Sequence, residues 1–311
     1  MNCGNCGDKA VIVLQHGALC KKHFLTYFEE KVFKTISRWR LIDRSDVLCI
    51  ATSGGKDSLT VLYLTQKYIK KNNLNVPLTA LAVDEGIPGY REKTLKDLEK
   101  FCGEQKVELN VVSFEKEFGK TLTKAYPIIN EDEKKKPCNI CGVWRRYMLN
   151  KYAKKIGATK VVTGHNLDDE AQAVVMNVFK ANLKLAPRLG PISGLEESSL
   201  FAQRVKPLYF CLEKEVRLYT ILKGWSIEFA ECPHSQSGYR HHIQEMLNDF
   251  EEKYKGTKQA IINSYLAILP MLQESGKKTK GEIKKCVLCS EAANQEVCNA
   301  CKMKEVLEHA K

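Results

Sequence analysis

The chain has no apolar run near the ~18 residues that a membrane-crossing helix needs, so no transmembrane segment is expected. Its first residues, MNCGNCGDKA, lack the basic and then apolar pattern of a secretory signal, which leads to the expectation of a cytoplasmic protein. No self-similarity recurs at the periods that mark solenoids, which excludes a repeat architecture. What is present is an ordinary composition: 311 residues, 44% hydrophobic and 28% charged. That allows one large soluble domain with a real core and small appendages.

The net charge is +12, with basic clusters at 134–136, at Arg145 and Arg146, at Lys154 and Lys155, and across 277–285. A solvated surface and a partner made of phosphates, such as RNA, both fit such clusters, and charge alone leaves both readings open. The thirteen cysteines say more. In a reducing compartment, spaced cysteines bind metal or do chemistry more often than they form disulfides. Ten fall into three groups: Cys3, Cys6 and Cys20; Cys138, Cys141 and Cys232; and Cys286, Cys289, Cys298 and Cys301. Cys49, Cys102 and Cys211 sit in apolar or helical stretches and read as small core residues.

Along the chain, Phe24, Phe28, Val32, Ile36 and Trp39 repeat at helical spacing after a short Cys-rich start. From Asp46 the runs VLCIA, LTALAV, VELNVV and KVVT read as buried strands, with helices near 57–71, 91–105, 142–156 and 167–181 between them. Strand–helix alternation implies an α/β fold: a Rossmann-like parallel sheet with helices on both faces. A charged loop is expected from Glu131 to Pro137. Helices are expected near 239–253 and 258–273, followed by a polar linker, ESGKKTKGEIKK. The resulting division is an N-terminal zinc finger (1–24), a linking helix (25–45), a catalytic domain (46–232), a helical extension (233–280) and a C-terminal zinc ribbon (281–311).

The strand VLCIA runs into Thr52-Ser53-Gly54-Gly55-Lys56-Asp57-Ser58 and then a helix. Glycines let the backbone approach a phosphate, and the helix start offers free N–H groups and a positive dipole end. A Walker A loop would need glycine at Ile50 and serine or threonine at Asp57, so that reading fails. Val83 and Asp84 end the second strand; Gly164 and His165 end the fourth, with Asp168 and Asp169 opening the next helix. This collects candidates at the carboxyl edge of the sheet, where open α/β sheets bind ligands. The two acids could hold Mg²⁺ on the phosphates, and helix capping is the plainer alternative.

Cys3, Cys6, Cys20 and His23 form a Cys₃His set at zinc-finger spacing, and Cys286, Cys289, Cys298 and Cys301 form a Cys₄ set. Each is complete, so neither leaves a catalytic position. The third group, Cys138-x2-Cys141 with Cys232, has three thiols. Zinc with a water, a persulfide-carrying CxxC pair and an iron–sulfur cluster with one open iron are all compatible with it. Arg145 and Arg146, one turn after Cys141, would stabilise thiolate, sulfide or phosphate.

Taken together, CxxC…CxxH, SGGKDS, VDEGIPGYR, PCNICGVWRR, GHNLDDEAQ, ECP and CxxC…CxxC resemble the TtuA/NcsA-type tRNA 2-thiouridine synthetases over essentially the whole chain. The SGGKDS loop is similar to that of the PP-loop ATP pyrophosphatases, whose fold is adenine nucleotide alpha hydrolase-like. The resemblance implies ATP binding at Ala51, Ser53, Gly54, Gly55, Lys56, Asp57, Ser58, Val83, Arg145, Gly164 and His165. It implies a [4Fe–4S] cluster on Cys138, Cys141 and Cys232, Mg²⁺ on the phosphates, and zinc at both ends of the chain. It implies adenylation of the uridine C2 oxygen with release of pyrophosphate, then displacement of AMP by cluster-bound sulfide. Asp169 (or Asp168), Arg145 and Lys56 would be catalytic. The implied partners are tRNA, a ubiquitin-like thiocarboxylate sulfur carrier and a second copy of the chain. The rival readings are a 2-thiocytidine or lysidine synthetase with the same loop, and a non-catalytic ATP-sensing RNA-binding zinc protein.

Overall fold

A computed structural model describes residues 1–133, 135–193, 201–225, 232–234, 238–278 and 284–310. The N-terminal hairpin pairs β1 (Ile12–Leu14) with β2 (Gly17–Leu19) and leads straight into α1 (Lys21–Arg38). Phe24, Phe28, Val32 and Ile36 are buried along one stripe of α1, as their spacing predicts.

A strand–helix alternation follows: β3 (Leu48–Thr52), α2 (Lys56–Lys71), β4 (Leu78–Asp84), α3 (Arg91–Gln105) and β5 (Glu108–Ser113). Next come α4 (Phe114–Phe118), α5 (Leu122–Glu133), α6 (Pro137–Lys155), β6 (Lys160–Val162) and α7 (Leu167–Phe179). Beyond a 3₁₀ turn lie β7 (Ile192–Ser193), β8 (Gln203–Val205) and α8 (Glu213–Leu222), then α9 (Tyr239–Lys253) and α10 (Thr257–Lys278). The chain closes with β9 (Lys284–Lys285), β10 (Ala292–Ala293) and α11 (Asn299–His309).

Among the described residues the main sheet has the order β5-β4-β3-β6-β8-β7, parallel except for the β7–β8 edge pair. From β3 the chain moves outward through β4 and β5, then returns to place β6 on the other side of β3. That reversal makes the carboxyl ends of β3 and β6 the switch point, where a crevice opens for a ligand. Both sheet faces are covered, which is why the strands read as continuous apolar runs. Leu48, Ile50, Ala80 and Ala82 pack with Phe28, Leu62, Leu98 and Tyr219 on the side of α1, α2, α3 and α8. Cys49, Leu81 and Val161 point the other way, against Ala153 of α6. Cys49, Cys102 and Cys211 are buried, as their apolar surroundings suggested.

Two local expectations are corrected. The charged loop from Glu131 is shorter than expected, because α5 continues to Glu133; Lys134 lies outside the described residues. Leu122, Ala125 and Ile129 are buried at helical spacing, and this anchoring carries the helix into the charged run. Helix α7 is capped by Asn166, in a capping box with Asp169. The expected linker 274–285 begins later than expected, because α10 continues to Lys278; residues 279–283 lie outside the described residues. Among the described residues no helix is long and apolar enough to cross a membrane.

Candidate nucleotide and thiol site

The loop after β3 is shaped by contacts that only glycine satisfies. Gly54 has φ +83, and a Cβ there would lie 2.3 Å from the Thr94 carbonyl oxygen. Gly55 caps α2, and the Ser58 hydroxyl donates to the Gly55 carbonyl at 2.8 Å while accepting from the Ser53 amide at 3.1 Å. The loop thus turns tightly over the start of α2, leaving amide donors and a positive dipole end for a phosphate. Gly164, at the end of β6, abuts this turn: its Cβ would meet the Asp57 backbone at 2.8 Å. Asn166 ties the two together, its side-chain amide donating to Asp57 Oδ1 at 2.9 Å. Lys56 Nζ sits between Asp57 at 2.9 Å and Glu213 at 2.8 Å. Burial opposes its charge, but those carboxylates hold its pKa above the ordinary lysine range. Ala51 is half-buried beneath α6, and Val83 is buried, offering its carbonyl to Arg91.

The thiols lie across the same edge. Cys138 and Cys141 are in the first turns of α6, and Cys232 approaches from the segment after α8. The Cys138 thiol donates to the His234 carbonyl at 3.2 Å, and Cys232 takes a backbone hydrogen bond from the same residue. Cys141 and Cys232 both pack against the cluster around Ile140 and Trp144. Burial pushes the Cys141 thiol up to about 12, with Arg145 opposing.

An ion chain, buried at Arg91 and Glu85, joins loop and thiols. Arg91, 2% exposed, donates to the Ser53 carbonyl and the Val83 carbonyl, each at 2.6 Å. Its Nε lies 3.0 Å from Glu85 Oε2, a coulombic contact off the line of the N–H. The other Glu85 oxygen is 3.5 Å from Arg145. Arg145, whose side chain is 49% exposed, feels the charges of Cys141 and Cys232. The sequence reading missed Glu85, Arg91, Asn166 and Glu213. A signal existed for Glu85 and Arg91, since charged residues just beyond a buried strand need partners.

The acidic pair separates into two roles. Asp168, 5% exposed, is held by Lys258 and by the Glu213 amide at 2.7 Å, so both its oxygens are committed. Asp169 stands more open, 2.7 Å from Arg240 and accepting from the Asn166 amide at 3.2 Å. His165 is solvent-accessible in this cleft yet crowded by protein. Desolvation depresses its basicity to about 4; Asp169 opposes, while Lys206, Arg240 and Arg204 add to the effect. The ring is therefore neutral at pH 7, and its Nδ1 meets the Thr163 hydroxyl at 2.9 Å.

The terminal sets gather as single-ion sites. Cys3, Cys6, Cys20 and His23 have donor atoms within 4.8 Å of one another, as do Cys286, Cys289, Cys298 and Cys301. Cys20 and His23 are 3.3 Å apart, Cys6 and Cys20 3.6 Å, and Cys289 and Cys298 3.8 Å. Tetrahedral zinc with bonds of about 2.3 Å to sulfur puts its sulfurs roughly 3.8 Å apart, so both sets fit that ion. Among the described residues no third set gathers so tightly. The trio of Cys138, Cys141 and Cys232 thus stands wider than one ion's shell, which fits a multi-iron centre held by three thiolates.

The PP-loop domain family model matches residues 25–238. The chain is similar to the tRNA-5-methyluridine(54) 2-sulfurtransferase of Pyrococcus horikoshii, 33% identical over 97% of this chain and 93% of that protein. It is also similar to cytoplasmic tRNA 2-thiolation protein 1 of Danio rerio, 31% identical over 99% of this chain and 88% of that one. Among solved structures, it matches the U34-tRNA thiolase NcsA from Methanococcus maripaludis with its [4Fe-4S] cluster. The TM-score is 0.80 at 30% identity, covering 99% of this chain and 96% of the other.

Proposed function

The chain belongs to the PP-loop family and to its tRNA 2-thiolating branch, and from that premise we propose that it is a tRNA sulfurtransferase that replaces the C2 oxygen of a uridine with sulfur. The observation that carries the reading is the Ser53–Arg91–Glu85–Arg145 chain, which links a phosphate-shaped loop to the thiols of Cys138, Cys141 and Cys232.

A carbonyl oxygen leaves poorly, so it must first be activated. The uridine O2 attacks the α-phosphorus of ATP, and pyrophosphate departs into the amides of 53–58 and the start of α2. Lys56 shifts from its carboxylate partners toward the phosphates, and Arg145 offsets charge developing at the α-phosphate. Asp169, the more open acid, is the candidate for Mg²⁺ or proton handling, whereas Asp168 fixes the scaffold. Ala51, Val83, Gly164 and His165 form the walls of the nucleotide cleft, with His165 neutral and able to hydrogen-bond without adding charge. Cys138, Cys141 and Cys232 would hold a [4Fe–4S] cluster, which supplies a soft, metal-held sulfur for the activated carbon. Displacement at C2 then releases AMP. The terminal sets would each hold a structural zinc.

A cytoplasmic setting is supported by the name of the Danio rerio relative. Exposed Val178, Phe179, Ile268 and Met271 on the adjoining α7 and α10 support assembly as a homodimer. The sulfur source is sulfide or a ubiquitin-like thiocarboxylate carrier, both of which deliver reduced sulfur.

The test is nucleoside mass spectrometry of unmodified tRNA incubated with anaerobic, iron-reconstituted protein, ATP and sulfide. New 2-thiouridine with matching AMP is expected. Formation of 2-thiocytidine or lysidine instead, or no tRNA-stimulated pyrophosphate release, overturns the reading.

A further inference from the structure

Around the carboxyl ends of β6 and β8 most cations have an acidic partner. Arg145 has Glu85 at 3.5 Å, Lys206 has Glu170 at 2.8 Å, and Arg240 has Asp169 at 2.7 Å. Arg146 and Arg204 differ: among the described residues neither has a carboxylate within ion-pair distance. They are neighbours. Arg204 Nη2 donates to the Arg146 backbone carbonyl at 3.4 Å, which rests the β8 guanidinium against α6. Arg204 pairs in register with Val161, so it lies on the α6 face of the sheet, one strand from the Gly164–His165 turn. Both guanidiniums are disfavoured as they stand. Desolvation and the charge of Arg146 bring Arg204 down to about 10, and desolvation with the charge of Arg145 lowers Arg146, with Cys141 opposing.

Two like charges drawn together with no carboxylate beside either raise the energy of the free protein, and an anion seated beside them offsets that cost. We propose that Arg146 and Arg204 form a phosphate clamp that takes a backbone phosphodiester of the RNA beside its target nucleotide. The guanidinium fork suits this ligand, since it gives paired hydrogen bonds to phosphate oxygens. The nucleotide's phosphates already have the glycine loop, the α2 N-terminus, Lys56 and Arg145, so these two cations are surplus to ATP. Arg146 is on α6, the helix that opens with Cys138 and Cys141, and Arg204 rests against it from β8, so a strand held here runs past the thiol end of that helix. A phosphate held here fixes the register of the strand and leaves the base free to reach the cleft. The clamp rests on the proposed RNA substrate.

The test measures binding of unmodified tRNA to the full protein at several salt concentrations, for the unaltered chain and for Arg204→Met, Arg146→Met and Arg204→Lys. ATP affinity and thermal midpoint are measured beside it. Loss of one phosphate contact is expected to weaken tRNA binding several-fold in each methionine variant and to reduce the slope of log K against log salt by about 1. Arg204→Lys should recover part of the loss, and ATP affinity should stay within about twofold. If the unaltered protein binds tRNA while both methionine variants keep its affinity and slope, the clamp is wrong and the function stands. If ATP affinity falls instead, the phosphate belongs to the nucleotide and the RNA assignment is overturned. If the unaltered protein binds no tRNA, the functional reading and the clamp fall together. Arg146, on the solvent side of α6, keeps the test open should Arg204→Met fail to fold.

Discussion

Lys56 and Glu85 show how single charges here serve two ends. Lys56 is clamped by Asp57 and Glu213 without nucleotide, so phosphate oxygens must compete for it. Lys56→Met is expected to weaken ATP binding by about tenfold, the effect of roughly 1.4 kcal/mol, with little change in thermal stability. Calorimetric titration with ATP checks this; unchanged affinity contradicts it. Glu85 balances buried Arg91, and removing one partner of a buried pair strands the other. Glu85→Ala should therefore cost about 3–5 kcal/mol in denaturant unfolding, with Glu85→Gln milder. A loss below about 1 kcal/mol would show that the chain does not hold the site together. His165 gives a pH dependence of known sign. Its folded-state pKa lies below the ordinary 6.5, so the stability it contributes is present above pH 6.5 and is lost as pH falls toward 4. His165→Gln should flatten that acid limb; an unchanged slope between those values contradicts the assignment.

At the scale of elements, the turn after β3 and the turn after β6 interlock. Gly164→Ala drives a methyl into the Asp57 backbone, and Gly54→Ala adds a clash to a left-handed φ. Both should lose ATP binding by tenfold or more while the fold persists, measured by titration alongside circular dichroism; retained affinity would show that the loop tolerates displacement. Helix α6 carries Cys138 and Cys141 at one end and supports the last module along its length. Trp144 is fully buried and stacks on Phe118 at 4.1 Å, and Met303 and Leu307 of α11 join the same cluster. Asn150 and Lys154 hold Glu291 at 2.8 Å and 3.1 Å. Trp144→Ala should cost about 3–5 kcal/mol and expose the terminal cysteines to thiol reagents, readable by rate of labelling. Labelling at the original rate would show that the module docks by other means.

Much of this was legible in the sequence, and the pattern of what was not has physical causes. Apolar runs exposed β3, β4 and β6, because strands largely buried on both faces leave no polar alternation to blur the signal, while the edge strand β5 was legible from its β-branched Val111 and Val112. The three-residue β8 stayed hidden, since Val205 alone is its buried apolar residue. The glycine loop and CxxC pairs are local, so spacing reveals them. The Glu85–Arg91 pair and the Lys258–Asp168 tie depend on contacts between distant segments, and Asp168 beside Asp169 gave no hint that the two face different partners.

For the whole molecule, the proposed reaction requires activated base and sulfur to meet in one cleft beside Arg145. The direct measurement is metal and labile-sulfide analysis of anaerobically purified protein, paired with tRNA thiolation by the same sample. Two zincs held by the terminal sets and one four-iron cluster on Cys138, Cys141 and Cys232 are predicted, with thiolation lost in step with iron in Cys232→Ser. Iron-free protein that forms 2-thiouridine at full rate would contradict the account.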